Sequence, residues 1–406
     1  MLLTREKLLC DLREAYYDAR RHKRNKPYQL RFEAKLEENL EELCDALWNR
    51  TYKPRHSDCF IITDPKCREV FAAHFRDRVV HHLYYNYTHE MFERTFIKDT
   101  YSCIKNRGTH YGIERLQKHI LSESRNYSRE CYVLKMDIRG YFMNINRQKL
   151  LEIASKSLNK MSKHKVGKYR KTLWEDVVDM DFVHYLTKEI ILLNPIEGCR
   201  FIGPPSDWYN LPFEKSMFHT PEGCGLPIGN LTSQLYSNVY LNVFDQFMKR
   251  ELHCRHYGRY VDDFYVVSTN KDWLESLIPK VSAFLKETLG LAIHEGKTRI
   301  INIRKGVDFL GGYLLPYRIY ICRSTLERMD NKLFALETCG DWEHVEKSLN
   351  SYCGVLSHWQ NYNTRRKMLL IRHKFTDYGM FDYEVRHFHG IKTMAFRGRF
   401  RVESLE

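Results

Sequence analysis

The sequence predicts an α+β fold, which combines helices with short strands. Three observations predict it: helical periodicity between residues 32 and 93, a short apolar segment CYVLKMDI at 131–138, and a strand–turn–strand pattern at 253–268. With 406 residues the chain can form roughly two or three lobes, each with its own core. Its 43% hydrophobic and 14% aromatic content excludes a disordered chain.

The first third of the chain is predicted to be helical. Phe32–Trp48 carries apolar residues at steps of three and four, with Glu and Lys on the other face. Asp64–Glu93 has a second helical pattern without Pro or Gly after its first two residues. Its HEMFE segment lacks the second His of a zinc-binding helix, so its histidines are expected to be ordinary helix residues.

The rest of the chain alternates short strands with longer helical or loop segments. CYVLKMDI is predicted as a buried strand that ends in a carboxylate, and HCRHYGRYVDDFYVVS as a hairpin with two carboxylates at its turn. The remaining predictions are an exposed basic insertion at 155–171, a glycine-rich turn GCGLPIGNLTSQ leading into a helix, a strand pair in GVDFLGGYLLP, and a largely helical segment 325–406 that ends in KTMAFRGRFR.

Charge and cysteine usage narrow the class of partner and compartment. The chain has 65 Lys+Arg against 51 Asp+Glu, a net charge of +14, which favours a polyanion such as nucleic acid. The 12 cysteines form no CxxC pair and no zinc-finger spacing, which indicates reduced thiols. Charged residues within the first five positions argue against a signal peptide, and no apolar run approaches about 20 residues. A cytoplasmic protein without a membrane partner is expected.

Two groups of carboxylates carry the chemical prediction. Asp137 ends an apolar strand, and Asp262 and Asp263 lie at a hairpin turn. A carboxylate in an apolar β setting is costly unless it is paired or binds a metal. If the two strands are neighbours, the carboxylates can hold two hard cations about 3.5–4 Å apart, as in two-metal phosphoryl transfer. Magnesium suits such a site; the alternative is that the Asp pair merely forms a turn.

Seven motifs in order make the chain resemble the reverse transcriptases. They are RDRVVHH, TYSCIKNRGTH, VLKMDIRGYF, GLPIGNLTSQ, YVDD, HEGKT and GVDFLGG, and SHWQNYNTRRK resembles part of the thumb. The resemblance implies a right-hand polymerase with fingers, a palm with an antiparallel sheet, and a helical thumb. The implied division is 1–130 for N-terminal helices and fingers, 131–320 for the palm with fingers elements and a basic insertion near 155–215, and 321–406 for the helical thumb and basic tail.

The segment LPIGNLTSQ resembles reverse transcriptases of diversity-generating retroelements, encoded by bacteria or phages. That resemblance implies copying of a template-repeat RNA into adenine-mutagenised cDNA that diversifies a target gene. The implied partners are structured template RNA, the cDNA/RNA hybrid, dNTPs and a small basic accessory variability protein. A reverse transcriptase of antiphage defence with the same two-metal chemistry is the main alternative, and a non-catalytic RNA-binding scaffold is a remote one.

The same resemblance implies roles for single residues. Asp137, Asp262 and Asp263 match the catalytic carboxylates, and with the backbone carbonyl of Ile138 they would hold two Mg²⁺ ions, for which Mn²⁺ can substitute. Phe142 matches the aromatic ring that excludes a ribose 2′-hydroxyl.

Further positions match the nucleotide-binding site. Lys105 and Arg107 match cations that contact the incoming triphosphate, and Lys297 matches the lysine near the leaving pyrophosphate. Pro227, Ile228 and Gly229 would lie under the nascent base pair. Related enzymes typically carry Gln in the position of Ile228, so its loss suggests a route to low fidelity.

Overall fold

The computed structural model describes residues 3–63, 66–167, 171–337, 339, 341–372, 375 and 379–390. The basic segment KTMAFRGRFR lies outside the described residues. The chain divides into two compact units. The first comprises residues 1–108, 134–266 and 272–299, and the second comprises 109–133, 267–271 and 300–406.

Helices and strands are interspersed along the described part of the chain. The helices are α1 (Arg5–Arg20), α2 (Pro27–Glu33), α3 (Leu36–Trp48), α4 (Phe75–Glu93), α5 (Thr109–Glu123), α6 (Tyr141–Asn144), α7 (Arg147–Ser162), α8 (Met180–Ile191), α9 (Leu231–Gln246), α10 (Lys271–Phe284), α11 (Arg323–Glu337), α12 (Trp342–Leu356) and α13 (Tyr362–Arg366). The strands are β1 (Asp58–Ile62), β2 (Arg68–Ala72), β3 (Tyr132–Asp137), β4 (Arg200–Phe201), β5 (Tyr257–Tyr260), β6 (Asp263–Ser268), β7 (Arg299–Asn302), β8 (Val307–Phe309), β9 (Gly312–Leu315), β10 (Arg318–Ile321), β11 (Gly379–Phe381) and β12 (Phe388–Gly390).

The first unit contains two groups of strands packed among helices. One sheet has the order β2-β1-β4, and in the other β5, β6 and β3 are successive neighbours. Helix α9 follows the glycine-rich turn and buries Leu235, Val239 and Phe244. The predicted strand at 131–138, the hairpin at 253–268 and the helix after GCGLPIGNLTSQ are therefore confirmed.

The predicted helix Asp64–Glu93 is wrong over its first part. Residues 68–72 form β2, which pairs antiparallel with β1, and α4 begins only at Phe75. Contacts with residues far away in the sequence explain why this segment is a strand. Glu69, fully buried, accepts hydrogen bonds from Trp208 Nε1 (2.9 Å) and from the Met217 N–H (2.7 Å). These partners lie about 140 residues away, so no local periodicity could indicate the strand.

Two other predicted boundaries are also corrected. Phe32–Trp48 is two helices, α2 and α3, interrupted at residues 34 and 35. The predicted exposed insertion 155–171 begins as the last two turns of α7, in which Leu158 and Met161 are buried. Apolar residues on one helix face outweigh the density of lysines, whose long side chains reach solvent from the other face.

The second unit has a core formed mainly by α11, α12 and the residues that follow them. Its buried residues include Met329, Leu333, Leu349, Leu356 and Phe388. The strand pair predicted in GVDFLGGYLLP is present as β8 and β9, which β10 extends into a three-stranded sheet. In the described part of 325–406 the chain is less helical than predicted, because β11 and β12 form an antiparallel hairpin.

Two predicted absences can be compared with the described residues. Over these residues no helix combines the length and the apolar content needed to cross a bilayer. The 12 cysteines are free thiols, in agreement with their scattered spacing.

Candidate active site

Neighbouring strands bring the predicted carboxylates together. Asp137 is the last residue of β3, Asp263 is the first residue of β6, and the two strands are neighbours in one sheet. Asp262 lies in the turn just before β6. The sheet therefore brings together carboxylates, Asp137 and Asp262, that are 125 residues apart in the sequence.

Burial and mutual repulsion raise the pKa of two of these carboxylates. Burial, together with the negative charges of Asp137 and Asp263, raises the pKa of Asp262 from 3.8 to about 7. Burial and the charge of Asp137 also raise the pKa of Asp263. Three carboxylates that repel one another in a partly buried site form an arrangement that a cation would stabilise.

Lys297 makes the direct contact with this group. Its Nζ donates to Asp137 Oδ2 at 2.9 Å. Burial opposes the charge of Lys297, but the hydrogen bond to Asp137 and the charges of the three aspartates raise its pKa. The structure thus places the lysine of HEGKT beside the carboxylates, and its predicted role near the leaving pyrophosphate stays a prediction.

The backbone after Asp137 is held in a defined register. The His294 N–H donates to the Asp137 carbonyl at 2.7 Å, and the Arg139 N–H donates to the Ala292 carbonyl at 2.8 Å. In this antiparallel bridge Ile138 is the residue whose own N–H and C=O do not point at the partner strand. Its carbonyl is therefore directed away from Ile293.

The GCGLPIGNLTSQ turn connects two elements of the site. The Leu226 N–H donates to the Phe142 carbonyl at 2.8 Å, and the Phe71 N–H donates to the Ile228 carbonyl at 2.9 Å. Gly229 has φ +119°, and a Cβ there would lie 2.7 Å from Val70 Cγ1. Only glycine allows β2 to approach the turn this closely.

Pro227 and Ile228 are half-buried, and Ile228 packs against an apolar cluster. That cluster consists of Cys59, Phe71, Met143 and Met217. Ile228 therefore has a packing role in the fold in addition to the predicted role beneath the base pair.

Phe142 and its neighbour occupy different environments. Tyr141 is buried, and its hydroxyl donates to the Ser237 carbonyl at 2.5 Å. Phe142 is only half-buried. The ring predicted to exclude the 2′-hydroxyl is thus partly accessible, whereas the preceding aromatic ring belongs to the core.

The two predicted triphosphate contacts differ in their surroundings. Arg107 is half-buried, and its Nη1 donates to the carbonyls of Thr100 (2.8 Å) and Ile97 (3.4 Å). Lys105 is exposed. Arg107 therefore holds the 97–107 loop in shape, and Lys105 is the cation of this pair that projects into solvent.

Sequence reasoning did not identify two further cations near the carboxylates. The charges of Lys135 on β3 and Lys66 act on Asp263 and oppose the rise of its pKa. Lys66 lies just before β2, in the segment expected to be helical, so its effect on Asp263 could not be predicted from the sequence. The alternation of residues in β3 was an available signal for Lys135.

The oxygen donors can be tested against a divalent metal. Among the described residues no three His, Cys, Asp or Glu side chains converge on a single metal site. Asp137, Asp262 and Asp263 therefore do not form such a three-ligand group. Magnesium does not need such a cage, because it binds one or two protein carboxylates and completes its shell with water and phosphate. Asp137 and Asp262 with the Ile138 carbonyl would supply this smaller set of donors, and the repulsion between the two carboxylates fits a cation between them.

The sheet with its carboxylate hairpin, together with the helix that follows the glycine turn, has the architecture of a template-dependent polymerase. The profile of the family "Reverse transcriptase (RNA-dependent DNA polymerase)" matches residues 65–314. That range covers more than half of the chain, and the chain belongs to this family. The polymerase fold predicted from the motifs is confirmed.

Among solved structures, telomerases are similar to this chain at low sequence identity. The apo telomerase of Candida tropicalis has 12% identity and a TM-score of 0.46, with 74% of this chain and 57% of that chain covered. The telomerase of Candida albicans in complex with the TWJ fragment of telomeric RNA has 11% identity and a TM-score of 0.45, with 73% and 52% covered. This chain thus spans little more than half of their length. No curated protein matches its sequence.

Proposed function

We propose that this protein is an RNA-directed DNA polymerase that extends a primer along an RNA template. The observation that carries the proposal is the group formed by Asp137, Asp262, Asp263 and Lys297 at the ends of neighbouring strands, within a domain matched to the reverse transcriptase family. The net charge of +14 supports a nucleic-acid partner. Structured template RNA, a cDNA/RNA hybrid and dNTPs are the proposed ligands.

The site residues suggest how the reaction is organised. Asp137, Asp262 and the Ile138 carbonyl would hold Mg²⁺, with two ions proposed and Mn²⁺ as a substitute. When bound, Mg²⁺ would activate the attacking 3′-oxygen and stabilise charge on the phosphates. Asp263 has a supporting role, since consecutive residues at the start of a strand point to opposite faces.

Other residues of the chain bind and select the nucleotide. Lys297 neutralises Asp137 in the free protein, and its ammonium is placed to offset charge that develops on the leaving pyrophosphate. The exposed ammonium group of Lys105 is proposed to contact the triphosphate. The half-buried ring of Phe142 closes the space that a ribose 2′-hydroxyl would occupy.

The subtype proposal is a reverse transcriptase of a diversity-generating retroelement, working with a small basic accessory variability protein. Its support is the segment LPIGNLTSQ, in which Ile228 replaces the Gln typical of related enzymes. An isoleucine side chain cannot hydrogen-bond a base, so discrimination would rest on pairing and stacking alone. A tenfold error ratio corresponds to only about 1.4 kcal/mol, comparable to one hydrogen bond.

The experiment is cDNA synthesis from a primed, defined RNA, followed by sequencing of the product. Wild type is expected to extend the primer and to misincorporate mainly opposite template adenine. Asp137→Asn and Asp262→Asn are each expected to abolish extension while RNA binding remains, because each removes a metal-binding charge. Asp58→Asn is the matched control, since Asp58 pairs with Arg200 at the surface.

Three outcomes separate the levels of this proposal. Normal extension by either active-site variant would contradict the assignment of the carboxylates. Extension with uniformly low error at all four template bases would contradict the diversity-generating subtype and favour the defence enzyme. RNA binding without extension by wild type would favour the non-catalytic scaffold.

A further inference from the structure

The residue before Asp262 has an unusual backbone conformation. Val261 lies in the turn between β5 and β6 with φ +54°, in the left-handed region. A β-branched residue is a genuine outlier there, and such a conformation persists only where its surroundings enforce it. The carbonyl of Val261 belongs to the same peptide unit as the nitrogen of Asp262. The contacts that hold Val261 therefore also orient the backbone of Asp262.

Both backbone groups of Val261 are bound to side chains. Its N–H donates to Ser102 Oγ at 3.2 Å, and its carbonyl accepts from Arg259 Nη1 at 2.8 Å. The peptide units on the two sides of Val261 are therefore both fixed. The second of them leads directly into Asp262.

These two side chains are tied to each other through Asn238 on α9. Ser102 Oγ donates to Asn238 Oδ1 at 3.2 Å, and Asn238 Nδ2 donates back to the Ser102 carbonyl at 2.8 Å. Arg259 Nη1 also reaches Asn238 Oδ1 at 3.3 Å. Val261, Ser102, Asn238 and Arg259 thus form a closed set of hydrogen bonds, called here the turn clamp.

A buried ion pair fixes the arginine of the turn clamp. Arg259 and Asp245 are both fully buried. Nε and Nη2 of Arg259 donate to the two oxygens of Asp245 at 2.8 and 2.6 Å. The same carboxylate accepts from Tyr257 Oη (2.6 Å) and Thr100 Oγ1 (3.0 Å), so its charge is fully satisfied.

The guanidinium geometry explains why this residue is an arginine. Two nitrogens face Asp245 while the third faces the Val261 carbonyl, and the planar group fixes the angle between these directions. A lysine has a single ammonium on a flexible stem and cannot make all of these contacts. The pair therefore connects the rigid helix α9 to the strained turn.

We propose that Arg259 is a positioning residue for polymerisation, which holds Val261 in its left-handed conformation and thereby sets the direction of Asp262. The inference rests on the proposed function, because it concerns a carboxylate assigned to that reaction. It assigns the turn clamp a role that a buried ion pair serving stability alone would not have. Without the clamp, Val261 relaxes to an ordinary conformation and turns Asp262 away.

The test is whether glycine at position 261 removes the need for the clamp. Arg259→Lys is expected to lower kcat about tenfold or more, while KM for dNTP changes less than about threefold. Glycine adopts positive φ without strain. In the Val261→Gly background the same Arg259→Lys change is therefore expected to alter kcat by less than about threefold.

Controls separate positioning from loss of stability. Arg76→Lys is the matched control, because Arg76 is also buried and donates to a carboxylate, Asp77, and to a backbone carbonyl, that of Lys53. It is expected to lower the unfolding temperature without any rescue of kcat by Val261→Gly. All kcat values are referred to the folded fraction measured by thermal unfolding.

A milder variant covers the case in which Arg259→Lys does not fold. Ser102→Ala removes one hydroxyl from the turn clamp and is expected to lower kcat in the wild-type background, again with rescue by Val261→Gly. Equal losses in the valine and glycine backgrounds, or no loss with either variant, would overturn the inference. Absence of extension by wild type would instead contradict the proposed function.

Discussion

At the scale of single residues, the candidate site places like charges together at the expense of stability. Asp262 is surrounded by Asp137 and Asp263, and Lys297 neutralises only part of this charge. Burial and these neighbouring charges raise the pKa of Asp262 to about 7 in the folded protein, above its ordinary value of 3.8 in an unfolded chain. Such destabilised groups are characteristic of functional sites.

The sign of this effect gives a pH-dependent prediction. Because the pKa of Asp262 is higher in the folded state, the free energy of unfolding falls as pH rises from about 4 to about 7. Asp262→Asn removes the penalty and is expected to raise the unfolding temperature by a few degrees at pH 8, with little difference at pH 4. Thermal unfolding with a chelator and without nucleic acid measures this.

The surface variant Asp58→Asn serves as the control and is expected to show no such pH-dependent difference. Equal unfolding temperatures for wild type and Asp262→Asn at pH 8 would mean that neither burial nor the neighbouring charges destabilise the ionised carboxylate of Asp262.

At the scale of elements, local sequence predicted those parts of the site that carry their own signal. The strand ending in Asp137, the YVDD hairpin and α9 follow from apolar runs, turn residues and helical periodicity. The β1–β2 hairpin could not be predicted, because the buried Glu69 is satisfied by Trp208, Ser216 and Met217 from a distant loop. The turn clamp was likewise hidden, although a charged Arg259 within an apolar strand was a signal that a partner must exist.

The GCGLPIGNLTSQ turn carries an element-scale prediction on fidelity. Its backbone is bonded on both sides, to Phe142 and to Phe71, so a substitution at Ile228 changes chemistry more than loop geometry. Ile228→Gln is expected to lower the excess of errors opposite adenine, because an amide can hydrogen-bond the nascent pair. It is also expected to lower the unfolding temperature, because Ile228 packs against an apolar cluster.

Ile228→Leu is the matched control, since it keeps an apolar side chain of equal size. The measurement is sequencing of cDNA from one RNA template together with thermal unfolding of each variant. If Ile228→Gln lowers stability but leaves the error spectrum unchanged, Ile228 acts in packing alone and adenine selectivity has another origin.

At the scale of the whole molecule, the charge of +14 is distributed between paired and unpaired groups. Many surface cations are neutralised locally, such as Lys7 by Asp11, Lys35 by Glu38 and Lys347 by Glu343. In contrast, Lys163, Lys165 and Lys171 follow α7 as exposed side chains in a stretch rich in lysine. Position on the surface, rather than net charge alone, should decide which cations contact RNA phosphates.

The salt dependence of RNA binding tests this distinction. Each phosphate contact releases a counterion. The logarithm of the binding constant therefore falls with the logarithm of the salt concentration, with a slope of about 0.7 to 0.9 per contact. Changing Lys163, Lys165 and Lys171 together to Gln is expected to reduce that slope by about two to three. The control changes Lys7, Lys35 and Lys347 to Gln, which lowers the net charge by the same amount, from +14 to +11, but removes cations already paired. Its slope should stay close to wild type, because the pairs contribute little to the field seen by RNA. Equal slopes for both triple variants would show that net charge governs binding and that the segment after α7 is ordinary solvated surface.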